Sequence, residues 1–215
     1  SLFRHCDQRS AEDEIATNTA AATVARTAIR TSFRLSGLRR LVASLCLIAA
    51  LASPLLANNW PNWRGPAYNG VASGKGYPTE WSATKNVAWK VELPGRGSST
   101  PVVWGDHIFL TSAADGKNAL LAFSRNGKEQ WRVPIGEDRP GKNKKASGSN
   151  PSCVTDGQHV FAYFKSGDLM CVDFAGKLVW QTNLQDKFGE DTLWWDLGTS
   201  PVLTKQHRVV AVTQS

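Results

Sequence analysis

Leu120-Leu-Ala-Phe-Ser-Arg-Asn-Gly127-Lys-Glu-Gln-Trp131 and Leu169-Met-Cys-Val-Asp-Phe-Ala-Gly176-Lys-Leu-Val-Trp180 match without a gap, one phrase written twice. In each, an apolar run passes through a Gly-Lys turn to a tryptophan, which reads as two strands joined by a hairpin. Upstream, Pro101, Pro151 and Pro201 stand at intervals of 50 residues. Each opens a related phrase: Ser99-Thr-Pro101-Val-Val, Ser149-Asn-Pro151-Ser-Cys and Thr199-Ser-Pro201-Val-Leu. A polar turn follows (Gly105-Asp106, Asp156-Gly157, Lys205-Gln206), then a second apolar run. With Gly-containing turns such as Asp115-Gly116 and Ser166-Gly167 between the segments, each unit reads as a four-stranded antiparallel meander.

A lone meander of this size has two apolar faces and cannot bury both, so successive units must stack, and units of 40 to 50 residues stack radially. The expected fold is all-β, a β-propeller of four-stranded antiparallel blades. Trp131 and Trp180, near the start of each fourth strand, read as blade-packing residues. Val87-Ala-Trp89-Lys-Val-Glu-Leu93 has the same outer-strand look, yet no first three strands precede it. It is expected to complete the last blade by pairing the two chain ends. The expected layout is a disordered leader over 1–37, a signal peptide or membrane anchor over 38–57, a lead-in segment over 58–85, and a partial propeller over 86–215. The propeller part divides into a closing strand 86–94, blades 98–136 and 149–186, and a half blade 198–215. Closure takes about four to eight blades, so the chain reads as an N-terminal piece, as Ser1 in place of Met also suggests.

At 215 residues, 41% hydrophobic and 20% charged, the chain has enough apolar material for a core, which excludes wholesale disorder. Its net charge is +7, of which residues 1–57 contribute seven Lys and Arg against four Asp and Glu. The remainder shows no clustered basic stripe, so a nucleic-acid partner is not expected. Lys142, Lys144 and Lys145 lie in a Pro/Gly/Ser-rich stretch and read as a solvated loop. Leu38-Arg39-Arg40 precedes an uncharged apolar run that ends at Ala57, the pattern of an export signal, with an uncleaved anchor and a core helix as the alternatives. The expected location is therefore periplasmic or extracellular, with possible membrane association through this segment. Cys153 and Cys171 fall in the first and third strands of one blade, roughly 9.6 Å apart, beyond disulfide reach. Both thiols are expected to be unbridged and structural.

The units resemble the pyrroloquinoline-quinone-type propeller repeat, whose blades carry a Leu-x-Ala-Leu-Asp…Gly-Lys-x-x-Trp phrase. Asn59-Trp-Pro-Asn-Trp-Arg-Gly-Pro-Ala-Tyr-Asn-Gly70 is similar to the start of exported planctomycete proteins of this group. The resemblance covers roughly residues 59–215 and departs from the pattern at Ser124, where the family keeps the Asp seen at Asp173. It implies either a propeller of the outer-membrane-assembly type or a quinoprotein dehydrogenase. The dehydrogenases commonly use adjacent cysteines or a calcium site beside a catalytic Asp, and no Cys-Cys pair occurs in this chain.

Two inter-blade loops carry the candidate chemistry. In Asp186–Gly198, Trp194 and Trp195 could form a stacking floor for a cofactor, while Glu190, Asp191 and Asp196 supply oxygen ligands suited to a hard cation such as calcium. The alternative is that one Trp plugs the gap between blades and the acids stay solvated. In Gly136–Gly148, Arg139, Lys142, Lys144 and Lys145 would set basic charge on the same face, for an anionic ligand or acidic partner. His107, His159 and His207 occupy one equivalent position in three units, which argues for turn or edge chemistry. The sequence reading is therefore an exported, non-catalytic binding or assembly scaffold with protein partners at its loops or edges and no cofactor. Its alternative is a quinoprotein that oxidises alcohols or sugars with pyrroloquinoline quinone and calcium; a third possibility is a sensor domain fused to a further segment.

Overall fold

The computed structural model describes residues 59–192 and 194–212. The expected leader and signal segment lie outside the described residues. Strands β1 (Val102–Trp104), β2 (His107–Ala114), β3 (Lys117–Ser124) and β4 (Glu129–Ile135) form one antiparallel sheet in that order. A second sheet repeats it with β5 (Val154–Thr155), β6 (His159–Tyr163), β7 (Asp168–Asp173) and β8 (Leu178–Asn183). A third unit contributes β9 (Val202–Leu203) paired with β10 (Val209–Val210). The sheets are the expected blades: the described part is a partial propeller. Among the described residues the only helix is one turn, α1 (Leu184–Phe188), which spans the junction between the expected blade, ending at 186, and the expected loop Asp186–Gly198.

Local chemistry sets the hairpins. Asp115 and Gly116 both have positive φ, 52° and 75°, which twists the β2–β3 turn to match its strands. The β3–β4 and β7–β8 ladders each slip at one place, between Ala122 and Phe123 and between Cys171 and Val172. These are equivalent positions, directly beside Trp131 and Trp180, which pair with Ala122 and Cys171.

Period-two alternation gives β3 two apolar faces. Leu120 and Ala122 pack with Val102, Phe109 and Ile135 against Cys153, Val160, Phe164, Met170 and Val172 of the second unit. Ala119, Leu121 and Phe123 face the other way and meet Leu93. The second sheet likewise turns Phe161 and Cys171 toward Leu203 and Val209 of the third unit. Phe109, Leu120, Leu121 and Met170 are completely buried. Each such side chain contributes about 1.5–3 kcal/mol, so sheet-to-sheet stacking rather than any single blade carries the core.

Hydrogen bonds tie the inner ends of the units together. Ser152 Oγ accepts from Thr100 N at 2.8 Å, and Ser152 N donates to Ser200 Oγ at 2.9 Å. The lead-in segment crosses the same inner strands. Trp60 exchanges backbone bonds of 2.8 and 2.9 Å with Val103, Pro61 O accepts from Thr155 N at 2.9 Å, and Tyr68 Oη donates to Leu203 O at 3.3 Å.

Residues 86–94, expected as a closing strand, contain no strand among the described residues. A fourth strand exists only by pairing with a third, and no described residue offers one. Trp89 nevertheless occupies a fourth-strand position: its Nε1 donates to Arg125 O at 2.7 Å and its ring faces Gly127, as Trp131 does with Phe174 O and Gly176. Neither Cys153 nor Cys171 forms a disulfide, and both are buried, Cys153 just before β5 and Cys171 within β7.

Candidate functional site

The loop after the second blade is set by Asn183. Its side chain caps α1 by accepting from Gln185 N and Asp186 N at 2.8 and 3.2 Å, and donates to Ser166 O and Asp168 Oδ1 at 3.1 and 3.0 Å. Gln185, buried on the inward side of that turn, donates to Lys165 O and accepts from Arg139 Nη1, both at 2.8 Å. The two candidate loops are thereby joined near their bases.

Asp196 joins them again. Lys165 Nζ lies 2.6 Å from Asp196 Oδ1, with only 11% and 8% of the two side chains exposed. The same carboxylate accepts from Lys142 N at 2.8 Å and Asn143 N at 3.0 Å. Burial by itself would raise the Asp196 pKa. The Lys165 ammonium and the two backbone N–H groups outweigh that and bring it to about 2.

These contacts place the residues that sequence reading singled out. Asp196 is a structural anchor: both of its oxygens are engaged and its charge is balanced by Lys165, so it is not available as an oxygen ligand in this arrangement. Glu190 is exposed and Asp191 partly buried, and among the described residues no three His, Cys, Asp or Glu side chains gather into a metal-binding group. Trp194 and Trp195 meet edge to face, with centroids 4.6 Å apart and planes at 65°. That geometry gives an angular, outward surface, not a flat floor, and the rings are 79% and 65% exposed. The plug alternative is not what these exposures describe, and the acids do not all stay solvated. The residues present do not fit a quinone stacked on this tryptophan pair beside a calcium ion held by Glu190, Asp191 and Asp196.

The basic loop behaves as its composition suggests: Lys142, Lys144 and Lys145 are exposed. Arg139 is instead committed to Gln185. Sequence reading missed Lys165, Gln185 and Asn118. Asn118 is fully buried and donates to Glu137 O and Ser166 Oγ at 2.9 and 3.0 Å, which binds the first blade to the second. None of the three has a local signal, because their partners lie 19 to 48 residues away in sequence. His107 and His159 both open a second strand, and His107 Nδ1 lies 2.8 Å from Gln130 Oε1 while His159 Nδ1 lies 3.5 Å from Asp156 Oδ2. This is the edge chemistry that their repetition suggests.

The blade pattern over most of the described chain has a family match. Residues 68–215 match the family model described as outer membrane protein assembly factor BamB. The chain belongs to that family. Among solved structures, this BamB-family chain is similar to the quinohemoprotein alcohol dehydrogenase of Comamonas testosteroni, with a TM-score of 0.51 and 18% identity, over 74% of this chain and 24% of that one. BamB from Moraxella catarrhalis matches with a TM-score of 0.34 and 14% identity, over 54% of this chain and 32% of that one. A europium-containing methanol dehydrogenase matches with a TM-score of 0.37 and 14% identity, over 52% of this chain and 19% of that one. No curated protein sequence matches the chain. The chain spans about a quarter of the alcohol dehydrogenase and a third of the Moraxella protein, and at these identities the likeness is one of fold. Among the described residues no helix is long and apolar enough to cross a membrane.

Proposed function

We propose that the protein is a non-catalytic binding and assembly scaffold of the cell envelope, exported and periplasmic or extracellular, with possible membrane association through its N-terminal segment. It presents its inter-blade loops to a protein partner. One observation carries this reading: the Asp186–Gly198 loop is anchored by the nearly buried Asp196–Lys165 pair while it holds Trp194 and Trp195 out to solvent. A pair of exposed tryptophans on a loop that Asp196 ties to the lysine-bearing loop suits a protein-recognition surface, where Trp and Arg anchors dominate the energy. Family membership supports the same reading, because the matched description is that of an assembly factor.

Site-specific photocrosslinking from position 195 in the producing cell tests it. A discrete protein adduct that disappears with Trp194→Ala is the expected result. No adduct, together with dye-linked alcohol or sugar oxidation once pyrroloquinoline quinone and calcium are added, would replace the scaffold reading with the dehydrogenase one.

A further inference from the structure

Between the segment that leads into the first blade and the basic loop lies a cavity of about 310 Å³, lined by Gly95, Arg96, Asp138, Pro140, Lys144 and Ser147 among others. Its walls are unlike the rest of the loop surface. Arg96 Nη1 donates to Lys144 O at 2.8 Å, so a hydrogen bond holds a second cationic residue against the first. Neither Arg96, Lys144 nor the neighbouring Lys145 takes part in an ion pair among the described residues. Of the other cations of this region, Lys165 is paired with the Asp196 carboxylate, while Arg139 donates to the neutral Gln185 amide.

The acidic groups nearby do not neutralise the set. Asp196 is compensated by Lys165. Asp138 turns its buried Oδ1 toward Gly148, where a Cβ would stand 2.6 Å from it. Asp138 is the one carboxylate in the lining, against the two cations Arg96 and Lys144, so the wall keeps a positive excess, and a concave wall with an excess of one sign focuses its field and attracts the opposite charge. Arginine and lysine together on such a wall suit carboxylates, arginine through paired N–H donors and lysine as a point charge.

We infer that this cavity is the docking point for an acidic segment of a protein partner, with one carboxylate entering between Arg96 and Lys144 and further carboxylates lying along Lys145. The positive charge continues past the cavity along the loop, which calls for an extended chain with several carboxylates, not a single small acid. The inference deepens the scaffold reading and rests on it.

Fluorescence anisotropy with a labelled Glu-rich dodecapeptide and the full chain is the test. Arg96→Gln and Lys144→Gln are each expected to weaken binding at least tenfold, and Lys117→Gln or Lys128→Gln, each of which removes the same single charge elsewhere, less than twofold. Lys144→Gln touches no side-chain bond of the fold, so its result stands even if Arg96→Gln loosens the loop. Equal losses in the control, equal competition by a single-stranded DNA dodecamer, or no peptide binding would overturn the inference. An adduct at position 195 that persists in Lys144→Gln would leave the scaffold reading standing, so the two failures are distinguishable.

Discussion

The indole of Trp131 closes against Gly176 of the next blade: a Cβ at Gly176 would stand 2.7 Å from Trp131 Cγ, and Trp131 Nε1 donates to Phe174 O at 2.9 Å. Trp89 makes the same contact one blade earlier, on Gly127 and Arg125 O. The glycine of the Gly-Lys turn is therefore required twice over, by its positive φ of 87° and by the ring that fills its side-chain space. Gly176→Ala is expected to destabilise the protein by about 2 kcal/mol, from left-handed strain and displacement of the ring. Urea unfolding followed by tryptophan fluorescence checks it; an unchanged midpoint would contradict the docking.

The Asp196–Lys165 pair has a pH signature. The folded carboxyl titrates near 2 against an ordinary value of 3.8, so its contribution is complete above the ordinary value and is lost as pH falls through about 2. Asp196→Asn should therefore lower Tm at pH 7, with the gap to the parent closing between about pH 4 and 2. Lys165→Met, which leaves the carboxylate nearly buried and unpaired, is expected to cost about 2 kcal/mol, between the limits for exposed and buried pairs. Thermal melts across that pH range measure both.

Burial pushes the Cys153 thiol from 9.0 up to about 12. The folded protein should resist iodoacetamide at pH 8 and be alkylated at Cys153 only when unfolded, as mass spectrometry would read. Because the folded value is raised, the thiol's contribution to stability is full below about 9 and declines as pH climbs toward 12. Rapid labelling of the native protein at pH 8 would show that the interface between the first two blades opens.

Asn118→Ala removes a fully buried amide that donates to Glu137 O and Ser166 Oγ. With those acceptors stranded and a small cavity left, the expected loss is about 2–3 kcal/mol. Asn118→Ala combined with Ser166→Ala should cost less than the sum of the two, since they share one bond. A double-mutant cycle in urea gives the coupling directly, and strict additivity would contradict it.

Much of the candidate surface was hidden from sequence for a physical reason. Asp196 sits in an acid-rich loop and reads as a cation ligand because Lys165, its partner, is 31 residues away. Trp194 and Trp195 stand out in the sequence as an adjacent pair, but their edge-to-face angle is a property of the folded loop. The helical turn Leu184–Phe188 falls where the sequence reads as strand end and loop: five residues carry no usable period, and the turn is held by the Asn183 cap and the buried Gln185. Residues 86–94 illustrate the opposite case, where the tryptophan's role was legible while the strand itself was not formed.

The order of residues by itself determined the repeat, the four-strand meander, the need for neighbouring blades and the unbridged cysteines, because all of these follow from local alternation, turn chemistry and a fixed spacing. Tertiary structure alone decided which charges are balanced and which remain open, setting Lys165 on Asp196, and leaving Arg96 and Lys144 side by side. Those outcomes depend on distances across blades and on burial, which electrostatic energy follows and sequence separation does not.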